Sequence, residues 1–358
     1  MLHPGILLVN LGSPASTQPK DVATYLDEFL MDDRVIDMPW LPRRLLVSFI
    51  KLTGRPKRSA EAYAKVWGPE GSPLVHLSRQ LRDQVQLRTE LPVELAMRYG
   101  QPNIEAGLRQ LRARGAEAVR LVPLYPHYAM SSFETVVVKV KAVLASIGWD
   151  PPLTVLPPFY VEPDYIAALV ASAREQLNWD YDHVLFSYHG IPLRQVLKVD
   201  PGSHCLEDPE GFPPCCARPD AAHAYCYRHQ VLATTEAFVA AAGIAPDQYS
   251  IAFQSRLGRT PWLRPYTDYE LPRLAAAGKK NVLILSPSFV SDCLETLEEL
   301  AIRAVELFLE SGGTELRPVP CLNLQPDWVK TLVSWCEDDA RFVPASPGSK
   351  ALSPASGR

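Results

Sequence analysis

In the segment FSYHGIP, His189 closes an apolar run, Gly190 follows it directly, and Pro192 comes two residues later. The glycine lets the chain turn and leaves the imidazole uncovered. Such a histidine can accept a proton near neutral pH. The plainer alternative is a turn histidine bonded to backbone. Further along, SDCLETLEEL offers Asp292, Glu295, Glu298 and Glu299. The three glutamates lie three and four apart, so an α-helix would set them on one face. A row of this kind passes protons, or offers hard oxygen ligands to a divalent ion. The same spacing also fits a capping box, with Asp292 as N-cap and Glu295 three residues on. FQSRLGRTPWLRPYT adds Arg256, Arg259, Trp262 and Arg264. Trp262 gives a flat face, and the guanidinium groups can meet carboxylates in bidentate pairs. The competing view is a surface loop anchored by its tryptophan.

Four of the seven cysteines, Cys205, Cys215, Cys216 and Cys226, fall within HCLEDPEGFPPCCARPDAAHAYC. Their spacing, C-x9-C-C-x9-C, lacks the close CxxC pair of most zinc ribbons. Adjacent Cys215 and Cys216 are awkward for one tetrahedral zinc but can share the two irons of a cluster, and four thiolates are the usual ligand set of an iron–sulfur centre. Zinc with help from His204, His223 or His229 is the alternative. Cys293, Cys321 and Cys336 read as separate small apolar residues.

These groups need a scaffold. The chain has 358 residues, comfortable for two domains, with 47 % apolar and 21 % charged residues. A net charge of −4 gives no basic field for nucleic acid. No apolar run is long enough to span a bilayer, and the first strand candidate lacks the flanks of a signal peptide. The expectation is a cytoplasmic protein with reduced thiols.

Short Val-, Ile- and Leu-rich runs at 5–12, 93–99, 118–126, 153–159, 183–190, 249–255, 281–289 and 315–322 alternate with stretches of helical period. That alternation predicts parallel sheets covered on both faces, four strands in each half. Two doubly wound domains follow, 1–160 and 161–338, with a cleft between them and ligands beyond the carboxyl ends of the strands. Residues 196–227 fit no element and read as an insert. Residues 339–358, rich in Pro, Ser and Ala, read as a disordered tail. The segment 38–52, MPWLPRRLLVSFIKL, is amphipathic and basic. It suits a membrane surface or the lip of an apolar pocket, or else a core-packing helix.

Taken together, VNLGSP, YAKVWGPEGSPL, PLYPHYAMSSFET, FSYHGIP, FQSRLGRTPWLRPYTD and SPSFVSDCLETLEEL resemble the ferrochelatase family, in that family's order, over roughly residues 4–336. The resemblance implies two Rossmann-like domains of chelatase type. It also implies a porphyrin cleft and insertion of Fe2+ into protoporphyrin IX to give protoheme. It maps an essential histidine onto His189 and an essential glutamate onto Glu295, with these two as ligands of the substrate iron. It carries Tyr63, Ser72, Arg98, Tyr99, Tyr125, Ser132, Trp262 and Glu298 over as porphyrin-binding positions. Some members have a histidine after the aspartate of the acidic motif; Cys293 stands there in this chain. Some also carry a [2Fe-2S] cluster, a few on an internal insert like this one, which points to Cys205, Cys215, Cys216 and Cys226. A chelatase for another tetrapyrrole such as coproporphyrin, and a porphyrin carrier without catalysis, are the alternatives. The apolar segment 38–52 favours protoporphyrin and peripheral contact with a membrane.

Overall fold

The computed structural model describes residues 2–200, 205, 211–258 and 260–345. His204, Arg259 and the tail from residue 346 onward lie outside the described residues. The strands are β1 (Pro4–Ser13), β2 (Val93–Gly100), β3 (Ala118–Pro123), β4 (Leu153–Val155), β5 (His183–His189), β6 (Tyr249–Gln254), β7 (Asn281–Leu285), β8 (Glu315–Pro318) and β9 (Val343–Pro344).

Two sheets form, each in its own compact unit. The first has the order β2-β1-β3-β4-β9 and the second β6-β5-β7-β8. All pairings are parallel except β4 with β9. Numbered within its own unit, each set of four parallel strands runs 2-1-3-4. The duplicated layout therefore survives in topology where no residue repeat does. In such sheets the connections part between the first and third strands, and ligands collect beyond that point. It falls between β1 and β3 in one unit and between β5 and β7 in the other.

Burial explains the unbroken apolar runs. Ile6, Leu7, Leu8 and Val9 of β1 and Val184, Leu185 and Phe186 of β5 are fully buried, as central parallel strands covered on both faces must be. Leu185, Ala252, Ile284, Leu271 and Phe308 join one core in the second unit. Several strands are shorter than the apolar run that foretold them. β3 and β8 end on Pro123 and Pro318, and β4 stops before Pro157 and Pro158. Proline has no N–H for the ladder, so the apolar residues beyond it leave the sheet.

The carboxyl end of the chain departs most from expectation. The first sheet has a fifth strand rather than four, because β9 pairs antiparallel with β4. Residues 339–345, assigned to the tail by composition, instead make a 3-10 turn and this strand. Buried Arg120 fixes them: it donates to the Cys336 carbonyl at 2.6 Å, pairs with Asp339 and lies over the Phe342 ring. From Val329 onward the described chain groups with the first unit, and Pro126–Ala129 group with the second. The division of the long middle falls between Pro157 and Pro158.

Each unit also has one π-helical stretch at the equivalent place. Met130–Glu134 follows β3, and Glu295–Ala304 follows β7. Such stretches widen the backbone spiral and re-aim side chains, often at functional sites.

Candidate active site

His189 is the last residue of β5, and four groups hold its backbone and ring. Its N–H donates to Ser288 Oγ at 3.3 Å, and its carbonyl accepts the Tyr227 hydroxyl at 2.8 Å. The imidazole Nδ1 lies 2.6 Å from the Gly190 carbonyl, and Phe289 stands beside the ring at 6.2 Å. A carbonyl only accepts, so Nδ1 carries the hydrogen and Nε2 keeps its lone pair. The sequence required a glycine next for a steric reason as well. A Cβ on Gly190 would meet the Ser255 and Gln254 carbonyls at 2.9 and 3.0 Å.

That close approach brings the loop after β6 against the end of β5. Gly190 N–H donates to the Gln254 carbonyl at 2.7 Å, Leu193 N–H to Pro261 and Leu263 N–H to Ile191. Trp262 sits in this doubled strand, pinned by its Nε1 donating to the Leu257 carbonyl at 3.0 Å. Gln254 Nε2 reaches the Glu295 carbonyl at 3.4 Å, tying β6 to the start of the π-helix. Arg256 is turned to Asp268 in a bidentate pair and stacks on Tyr266, so it serves the loop.

The acidic row does not behave as an α-helical face. Glu298 is buried and accepts from Arg303 at 2.8 Å. Glu299 turns the other way and accepts the Ser255 hydroxyl, with Arg303 at 3.1 Å from its second oxygen. Burial pushes the Glu299 carboxyl above its ordinary value, as does the neighbouring Glu295 charge; Ser255, Arg303 and His189 pull it back in part. His189, Glu295 and Glu299 thus form one electrostatic cluster at the rim between β5 and β7. Asp292 is not a helix cap: its oxygens accept from Thr296 at 2.8 Å and Asn323 at 2.6 Å, which fold the chain before the helix.

Of the first-unit positions, Tyr99 is fully buried, its hydroxyl donating to Asp32 at 2.9 Å. Arg98 pairs with Asp32, donates to Thr135 at 2.7 Å and lies over the Tyr99 ring at 4.2 Å. Burial alone would raise Asp32, but Arg98 and these donors hold it below the usual carboxylate range. The polar ends of Arg98 and Tyr99 are therefore engaged within the fold. Tyr63 packs edge-on to Trp67, and buried Ser72 precedes the helix Pro73–Gln86. Ser132 lies in the π-helical stretch after β3. Among the described residues the buried hydroxyl of Tyr125 has no hydrogen-bond partner, and burial raises its pKa.

The four cysteines of the insert are free thiols lining one cavity of about 20 Å³. Among the described residues no three ligand side chains stand in finished metal-ligating geometry. What is present is convergence and chemistry. Burial raises the Cys205 thiol to about 11 and pushes Cys216 and Cys226 upward; neighbouring cysteines add to the rise and Arg228 opposes it. Four cysteines converging on one cavity suit a cationic centre that would replace their protons. His223 Nε2 bonds the Cys215 carbonyl at 2.8 Å and His229 Nδ1 the Cys216 carbonyl at 2.6 Å, the two rings stacked 3.6 Å apart. They clasp the cysteine pair through its backbone, each with one ring nitrogen.

The helix Trp40–Leu52 is not core-packing. Trp40, Leu45 and Phe49 are each more than 60 % exposed, and Leu52 is 85 % exposed, a contiguous apolar face beside Arg44 and Lys51. No helix among the described residues is long and apolar enough to cross a membrane.

Sequence inspection did not single out Ser255, Gln254, Tyr227 or Ser288. Gln254, Ser255 and Ser288 stand inside the motifs above, but nothing local marks which way a side chain faces.

A family model described as Ferrochelatase matches residues 3–340. The chain is 51 % identical over 339 residues to the ferrochelatase of Stutzerimonas stutzeri, covering 94 % of this chain and 98 % of that one. It is equally similar, over 340 residues, to the ferrochelatase of Ectopseudomonas mendocina, with the same shares covered. Among solved structures, SirB from Bacillus subtilis with Fe3+ aligns with a TM-score of 0.51 at 11 % identity, over 93 % of this chain and 94 % of that one. At that identity the likeness is one of fold, the chelatase fold.

Proposed function

The chain belongs to the ferrochelatase family, and from that premise we propose how its residues share the work. The protein is a lyase of heme biosynthesis that inserts ferrous iron into protoporphyrin IX to give protoheme. A free porphyrin loses two pyrrole N–H protons as the metal enters, so the reaction needs a base at the macrocycle and an exit for protons.

His189 is the base. The observation that carries this assignment is the Nδ1 contact with the Gly190 carbonyl, which leaves Nε2 as proton acceptor. Glu295 and Glu299 accept the proton in turn. A carboxyl raised by burial, as Glu299 is, holds a proton nearer neutral pH than a solvated one. Glu295 with His189 also offers oxygen and nitrogen donors to the incoming Fe2+ without the thiolates that would trap it. Trp262 presents a fixed aromatic face to the macrocycle.

Cys205, Cys215, Cys216 and Cys226 would hold a [2Fe-2S] cluster, which would supply one-electron redox chemistry and a cross-link for the insert. The exposed apolar face of Trp40–Leu52, flanked by Arg44 and Lys51, would rest on an anionic bilayer from the cytoplasmic side.

The test is His189→Ala assayed anaerobically with Fe2+ and protoporphyrin. Loss of metal insertion with porphyrin binding retained is the expected result. Near-normal turnover would remove His189 from the chemistry.

A further inference from the structure

We propose that Tyr227 is a positioning residue that couples the cysteine-lined cavity to His189. The inference rests on the two assignments above, His189 as base and the cysteines as a metal centre. Three observations carry it. The helix Tyr227–Ala242 starts at Cys226, whose Sγ accepts the His229 N–H at 3.5 Å. Its first residue, buried Tyr227, donates its hydroxyl to the His189 carbonyl at 2.8 Å. Ser288 closes the arrangement, receiving the His189 N–H at 3.3 Å and hydrogen-bonding the Tyr227 hydroxyl as well.

One peptide bond therefore separates a metal-facing thiol from the side chain that holds the histidine backbone. His189 ends its strand, and beyond the ladder these bonds and the Gly190–Gln254 bond fix its backbone. The same first turn carries His229, and His223 stacks on it; between them they hold the carbonyls of Cys215 and Cys216. A metal bound by all four thiols would tie these segments to Cys226 and fix where the helix begins. Without it the helix start keeps only its hydrogen bonds, and the Tyr227 hydroxyl has a less fixed origin. Coupling of this sort is a free energy shared between two sites, so it shows as non-additivity.

The experiment uses the full chain in four forms: wild type, Cys216→Ser, Tyr227→Phe and the double variant. Anaerobic kcat, porphyrin KM, and iron and sulfide content are measured on each. Each single change should lower kcat by about tenfold or more, with porphyrin KM near that of wild type. The double variant should be no worse than the poorer single one. Losses that multiply, or a Tyr227→Phe enzyme with wild-type kcat, overturn the coupling. If Cys216→Ser does not accumulate, stripping the metal from wild type and Tyr227→Phe with a chelator gives the same comparison: stripping must slow the former and leave the latter unchanged. Metal analysis separates the failures. Wild type reconstituted with ferrous iron and sulfide that holds neither on its cysteines sinks the metal-centre assignment, and the coupling with it. Full loading with multiplying losses sinks the coupling alone.

Discussion

The Ser255 hydroxyl donates to the Glu299 carboxylate, and through that bond the loop after β6 meets the helix after β7. Arg303 reaches both Glu299, at 3.1 Å, and buried Glu298, at 2.8 Å, so the Ser255 bond is what marks Glu299. Two adjacent glutamates thus have separate roles. On the proposed reading Glu299 acts with His189 and Glu295, while Glu298 buttresses its own helix. Glu299→Gln should lower kcat by about a hundredfold or more, the usual worth of one proton-transfer group. Glu298→Gln should act mainly on stability. Steady-state kinetics and urea melts on the two variants check the division; the reverse pattern would refute it.

Gly190→Ala tests the close approach of two chain segments. The new Cβ would press on two backbone carbonyls rather than on a flexible side chain. Overpacking of this kind costs about 1–3 kcal/mol. Since the displaced segment carries His189 and Trp262, kcat should fall along with the midpoint of unfolding.

Acid should weaken the second unit through His183. Burial first, then Lys279, lowers its pKa from 6.5 to about 4, while Glu270 opposes. Between those values the unfolded chain binds a proton that the folded chain refuses. Stability is therefore complete above 6.5 and declines as the pH falls toward 4. His127, lowered by burial to about 3, extends the decline further down. His183→Gln should flatten the upper part of the curve, measured as denaturation midpoints across that range. An unchanged slope would show that His183 is not the group responsible.

Leu45→Glu with Phe49→Glu should abolish binding to vesicles containing anionic lipid. Turnover with detergent-dispersed porphyrin should stay near wild type, because neither side chain packs into the core. Co-sedimentation that survives the double change would dismiss the helix as a membrane contact.

Much of the scaffold was legible in the chain. Val- and Ile-rich runs at regular intervals can be buried on both faces only by parallel pairing, so eight strands and their class followed. His189 was legible because a strand end, a glycine and a proline coincide. The fifth strand was not. Val343 and Pro344 have no periodicity of their own and pair only because Arg120, two hundred residues earlier, fixes the segment that leads to them. Exposure of the Trp40–Leu52 face was likewise undetermined, since an amphipathic pattern looks the same on a core and on a surface.

By itself the sequence determined which residue types stand at which strand ends, and hence the order of the chemistry-bearing rims. Tertiary structure alone decided which glutamate joins the histidine. In α-helical spacing Glu295, Glu298 and Glu299 share a face, but the stretch is a wider π spiral, in which Glu298 is buried and Glu299 accepts from Ser255. That choice of backbone spiral depends on what packs around the helix, Ser255 and Arg303 among them, and no local pattern of residues encodes it.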